Sequence, residues 1–165
     1  MTETAIPLVV RRVIPARREL VFGLFADADA LPLWFTPSPE VRLDVLLLEF
    51  VEGGAFRFRY TLPDGRRPVV GGIYQRIDRP GEIVQAWTWE PPDPLGGIPM
   101  RVRFRLHDRD NGTEVVVTHE GIPSDTVCTV HKDAWAGTLG ALERAVAAIE
   151  HKETGPCAAS QSSPS

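Results

Sequence analysis

The stretch Ser124–Glu150, SDTVCTVHKDAWAGTLGALERAVAAIE, constrains the chain more than any other. Trp135, Leu139, Leu142, Val146 and Ile149 recur at steps of four, three, four and three, which sets them on one face of an α-helix. Gly137, Ala141, Ala145 and Ala148 are small, so a sheet can approach closely. Ser124 or Asp125 can cap the first free N–H groups, and no proline follows Pro123 within the stretch. One helix cannot bury such a face by itself, so its partner has to lie upstream.

Upstream, the hydrophobic period is two. Val41–Val51, Phe56–Leu62, Val69–Ile77, Ile83–Glu90, Met100–His107 and Thr113–Glu120 read as strands, as does Leu8–Ile14 near the start. The alternation is clearest in Met100–His107, where Met100, Val102, Phe104 and Leu106 share one face and Arg101, Arg103 and Arg105 the other. Phe56, Phe58 and Tyr60 alternate in the same way with Arg57 and Arg59. This is the pattern of an antiparallel sheet with one wet and one buried face. Gly53-Gly54, Asp64-Gly65, Arg79-Pro80-Gly81 and Asn111-Gly112 supply turns, so consecutive strands should pair as hairpins. Between the first strand and the sheet, Arg17–Ala26 has helical spacing and Ala28–Phe35 allows a second helical turn, closed by Pro37 and Pro39.

The order is strand, two short helices, six strands, long helix. The economical arrangement is an α+β fold in which a curved seven-stranded antiparallel sheet wraps around the long C-terminal helix. At 165 residues the chain suits a single domain, here 1–152, followed by a polar tail at 153–165 whose composition predicts disorder. The loop Pro91–Pro99 is proline- and glycine-rich and longer than a hairpin needs, which suits the edge of a binding site or a solvated connection.

Bulk properties exclude several classes of function. A net charge of −4 with no basic tract argues against nucleic-acid binding. No apolar run reaches the roughly 20 residues needed to cross a bilayer. The start, MTETAIPLVVRR, puts its arginines after its apolar run, the wrong order for an export signal, so a cytoplasmic location is expected. In that compartment Cys128 and Cys157 should stay reduced, and Cys128 suits a small near-core residue better than a nucleophile.

Four segments carry a family resemblance: Leu31-Pro32-Leu33-Trp34-Phe35-Thr36-Pro37 after the first helix; Glu49-Phe50-Val51-Glu52-Gly53-Gly54-Ala55-Phe56; Gly72-Ile73-Tyr74-Gln75-Arg76-Ile77-Asp78-Arg79-Pro80 with the strand Ile83 to Trp89; and His131 to Trp135 followed by Leu139 and Leu142. In order and spacing, over about residues 6 to 150, they resemble the START-like, birch-pollen-allergen-like superfamily (SRPBCC), and within it the bacterial proteins related to the activator of the heat-shock ATPase (Aha-type). Two positions depart from that pattern. Val51 stands where an arginine often precedes the glycine pair, which weakens any shared polar site there, and Ala134 stands where a glycine precedes the tryptophan. The resemblance implies the helix-grip fold. Members bind hydrophobic ligands, catalyse aromatic cyclisation or assist a chaperone, so it also brings in a stress-response setting and a chaperone or regulator as partner. Fold narrows function only loosely.

The buried sheet face and the helix should enclose a cavity suited to a flat hydrophobic small molecule. Its expected lining is Phe58, Tyr60, Tyr74, Trp87, Trp89, Met100, Phe104, His119 and Trp135, with Trp34 and Phe35 at the rim. The facing of Tyr74 is ambiguous, because Gly71-Gly72 can hide a bulge. Core packing is the competing role for each of these aromatics. His119 is the one candidate acid–base group, weighed against a hydrogen-bonded core histidine. His107, His119, His131 and His151 lack ligand-pair spacing, so no metal is expected, and no fingerprint of another cofactor is present.

The leading expectation is therefore a binding protein for a hydrophobic, aromatic small molecule rather than an enzyme. A cyclase or hydrolase using the same cavity is the first alternative. An adaptor docking through Arg101, Arg103 and Arg105 is the second, and a homodimer is compatible with any of them.

Overall fold

A computed structural model describes residues 6–162, with side chains through Glu150. In chain order it contains β1 (Leu8–Ile14), α1 (Arg18–Ala26), α2 (Leu31–Trp34), β2 (Arg42–Leu48), β3 (Ala55–Thr61), β4 (Val69–Asp78), β5 (Glu82–Trp89), β6 (Met100–Arg109), β7 (Gly112–Glu120) and α3 (Asp125–Ser162). The expected tail at 153–165 falls on side chains outside the described residues, while the α3 backbone carries on past Glu150 to Ser162.

All seven strands form one curled antiparallel sheet in the order β1-β7-β6-β5-β4-β3-β2. From β2 to β7 every neighbour in the sheet is a neighbour in sequence, as short turns require. β1 alone pairs at a distance, with Leu8 opposite His119 and Ile14 opposite Thr113. The architecture is the helix-grip α+β fold that the pattern of periods predicts.

The sheet's inner face and one stripe of α3 make the core. Met100, Val102, Phe104 and Leu106 of β6 are buried, as are Val115, Val117 and His119 of β7. From α3, Trp135, Leu139, Leu142 and Val146 meet them. Ser124 caps this helix, its hydroxyl accepting the Val127 N–H at 3.2 Å. Gly137 lets α3 come close, though not to a strand: a Cβ there would lie 2.0 Å from the Pro37 carbonyl oxygen, in the segment after α2. The two backbones touch with no side chain between them.

On the outer face, the arginine stripe is paired within the sheet. Glu82 takes Arg76 at 2.7 Å, Arg103 at 3.1 Å and Arg105 at 3.2 Å, while Arg101 lies 3.5 Å from Glu120.

Two segments differ from expectation. β2 ends at Leu48 rather than at Val51, because Glu49 turns the chain: its carboxylate accepts the Ala55 N–H at 2.9 Å. The glycine pair beside it answers a local steric demand. Gly53 has φ +82°, and a Cβ on Gly54 would lie 2.2 Å from the Glu49 carbonyl oxygen. In β4 the register shift falls between Tyr74 and Arg76 rather than at Gly71-Gly72, so Tyr74 points inward and is buried.

Candidate functional site

The interior is divided into a packed part and an open part. In the packed part, α1 and α2 close over the sheet. α1 buries Val21, Phe22, Leu24 and Phe25, and α2 buries Leu31 and Trp34. Trp34 donates its indole N–H to the Leu24 carbonyl at 3.1 Å, satisfying one of the free carbonyls near the α1 C-terminus. Ring meets ring through this region: Phe25 and Trp34 at 4.7 Å, Phe25 and Phe104 at 4.9 Å, Phe35 and Phe58 at 5.6 Å between centroids. The void left among Phe25, Phe35, Phe58, Tyr74 and Phe104 is about 10 Å³, at the lower limit for one water molecule.

The open part lies beyond the reach of α1 and α2. A cavity of about 300 Å³ opens between β3, β5 and the first half of α3. That is the low end of the range, about 300–1,000 Å³, seen for small-molecule sites. Tyr60, Trp87, Trp89 and Trp135 supply its aromatic wall, and Leu62, Leu95, Val41 and Val130 its aliphatic one. The polar members are Arg66, Asp93, His131 and Thr138. The β3–β4 hairpin brings Arg66 and Pro68, and the long β5–β6 loop brings Asp93 and Leu95.

The expected lining therefore splits. Tyr60, Trp87, Trp89 and Trp135 are gathered around the cavity. Phe58, Tyr74, Met100 and Phe104 are buried in the core and do not line it. Trp34 and Phe35 are not at a rim: both are 2% exposed or less, because α2 tucks them beneath the sheet.

His119 stands behind the cavity wall, 1% exposed. The Trp135 indole donates to its Nδ1 at 3.0 Å. An indole N–H can only donate, so Nδ1 accepts and the ring hydrogen sits on Nε2. Burial, with a smaller contribution from the charge of His131, pushes the His119 pKa down to about 3. The ring is thus neutral at physiological pH, with one nitrogen engaged and the other, Nε2, buried without a partner. That state suits a wall fixture better than a proton shuttle. Burial also pushes the Tyr60 phenol upward, so it stays protonated. Among the described residues, no three His, Cys, Asp or Glu side chains converge as a metal site would need.

Several lining residues escaped the sequence reading. Asp93 and Leu95 belong to the long proline-rich loop, whose length was their signal. His131, Ala134 and Thr138 repeat at helical spacing around Trp135, a signal that was available. Arg66 and Pro68 sit in an ordinary hairpin, and nothing in their pattern marks them.

A family model described as Activator of Hsp90 ATPase homolog 1-like protein matches residues 15–147. Among solved structures, a protein from Chromobacterium violaceum is 21% identical, covering 85% of this chain and 96% of its own, with a TM-score of 0.75. The AHSA1 protein from Silicibacter pomeroyi is 22% identical, covering 88% of this chain and all (100%) of its own, also at 0.75. The solution structure of an AHSA1-like protein from Aeromonas hydrophila is 19% identical over 88% of this chain and 94% of its own, at 0.70. At these identities the solved structures speak to fold alone, and no curated protein matches the chain. With the family match spanning most of the helix-grip domain, the chain belongs to the Activator of Hsp90 ATPase homolog 1-like family of the START-like superfamily.

Proposed function

We propose that this protein binds a hydrophobic, aromatic small molecule in the cavity between sheet and helix. One observation carries the reading. Where the void beneath α1 and α2 is the size of a single water, about 300 Å³ is left open against four aromatic side chains, Tyr60, Trp87, Trp89 and Trp135. Four such rings facing a void leave dispersion contacts unmade, and a flat apolar ligand would make them. The test is a two-dimensional NMR titration of the full chain with a panel of aromatic compounds. Shifts gathered on Trp87, Trp89, Trp135 and the β5–β6 loop are the expected result. Shifts absent or scattered across the panel would sink the reading.

The enzyme alternative loses support from the state of His119, which is neutral, buried and committed to Trp135. The adaptor alternative loses support from the outer stripe, whose arginines are already matched by Glu82 and Glu120. A chaperone or regulator as partner, a stress-response role and a homodimer rest on the family name and the sequence alone. No described helix is long and apolar enough to cross a membrane. The cytoplasmic location stays a proposal, which cell fractionation would test.

A further inference from the structure

The chemistry of the cavity wall restricts the ligand beyond its being apolar. A tryptophan can offer a ligand its indole N–H, its ring edge or its π face. Here the N–H groups are withdrawn. That of Trp135 is spent on His119, and those of Trp87 and Trp89 are buried away from any accessible surface. The indoles therefore show the cavity carbon only. Their rings are set at angles rather than stacked: Trp87 and Trp89 at 87°, Trp87 and Trp135 at 52°, Tyr60 and Trp89 at 46°. Rings crossed in this way give the wall faces as well as edges, and the face of an aromatic ring is its negative pole.

The charges at the mouth point the same way. Arg66 and His131 are the basic side chains among the lining residues: Arg66 is neutralised by Asp64 through a 2.7 Å ion pair, with its side chain 72% exposed, and His131 spends its Nδ1 on the Val127 carbonyl at 3.0 Å. Asp93 is the carboxylate among them. Its Oδ1 accepts the Leu95 N–H at 2.8 Å, and no cationic side chain pairs with it among the described residues. A carboxylate with no ion-pair partner among the described residues thus stands beside the aromatic wall, with Arg66 and Arg67 bordering the same loop.

We infer that the cavity takes an organic cation, an alkylated ammonium group carried on an apolar body. The cation sits against the faces of Trp87, Trp89 and Tyr60, and Asp93 supplies the counter-charge. This rests on the small-molecule reading above and names the class of molecule.

The test compares phenyltrimethylammonium, its neutral isostere tert-butylbenzene and the anion 4-tert-butylbenzoate, each titrated into the full-length protein by NMR at fixed ionic strength. The expected result is that the cation binds about fivefold or more tighter than the neutral isostere, the size of a partly desolvated cation–π contact. Asp93→Asn keeps the oxygen that accepts from Leu95, and should weaken the cation while leaving tert-butylbenzene unchanged. Trp89→Leu should erase the preference; a thermal unfolding curve shows whether that variant is folded, and Tyr60→Leu serves in its place if it is not. If tert-butylbenzene or the benzoate binds as tightly as the cation at the cavity resonances, the cation inference is overturned and the cavity reading stands. If none of the three perturbs those resonances in a folded protein, both fall.

Discussion

Two halves of one interior are built from the same residue types and end differently. Under α1 and α2, Phe25, Trp34, Phe35, Phe58 and Phe104 interlock until no usable space is left. Toward the start of α3, Tyr60, Trp87, Trp89 and Trp135 border about 300 Å³ of open volume. Aromatic content does not separate the two. What separates them is cover: two short helices plug one end of the curled sheet, while loops and a single helix bound the other. An aromatic residue on an inner face becomes core or lining according to what lies across from it.

Substitutions should break that comparison in order of size. The largest effect belongs to the packed half. Phe104→Ala should cost about 3–5 kcal/mol in chemical denaturation, since Phe25, Phe35 and Trp135 surround the ring and cannot all collapse into the gap. A loss well under 2 kcal/mol would mean that this half is looser than its contacts imply.

The boundary between the halves should register next, through acid. The His119 pKa is depressed to about 3 in the folded chain, against an unfolded value near 6.5. The unfolded state therefore takes up the proton first, and stability falls as pH drops through that window. At pH 5 the loss from this group is about 2 kcal/mol relative to neutral pH. Urea midpoints measured from pH 7 to 5 should fall for the parent and fall distinctly less for His119→Gln. Parallel curves would show that His119 does not titrate as its burial dictates.

The smallest effect belongs to the open half. Tyr60→Leu should shift stability by about 1 kcal/mol or less, because one side of the ring already faces the cavity and has few contacts to lose. A loss as large as that of Phe104→Ala would erase the distinction between the halves.

The fold was largely legible in the sequence because its signals are periodic. The three-four spacing from Trp135 to Ile149 and the alternation from Met100 to His107 each specify a face, and the structure buries both, the helical one fully through Val146 and in part at Ile149. The site was half legible for the same reason. Period two says which side of a strand a ring is on, not how far along the sheet it lies or what covers it. Phe58 and Tyr60 are two residues apart on one face of β3, yet Phe58 is packed by Phe35 and Tyr60 borders the cavity. Trp34 and Phe35 misled because a four-residue helix carries too little periodicity to show its direction. The turn around Glu49 and Gly54 is set by backbone clearance, which a hydrophobic pattern does not encode.

The bare contact between Gly137 and Pro37 has a consequence for how anything enters. Pro37 and Thr138 both border the cavity, so the backbone junction lies on its margin. With no side chain to slide or rotate there, the helix and the segment it touches form a fixed doorpost. The opposite post is made of the β3–β4 hairpin, where the Leu62 N–H meets the Arg66 carbonyl, and the proline-rich loop, whose Gly97 N–H bonds back to the Trp89 carbonyl. A guest entering the cavity therefore meets a backbone-to-backbone junction on one side and two hydrogen-bonded turns on the other.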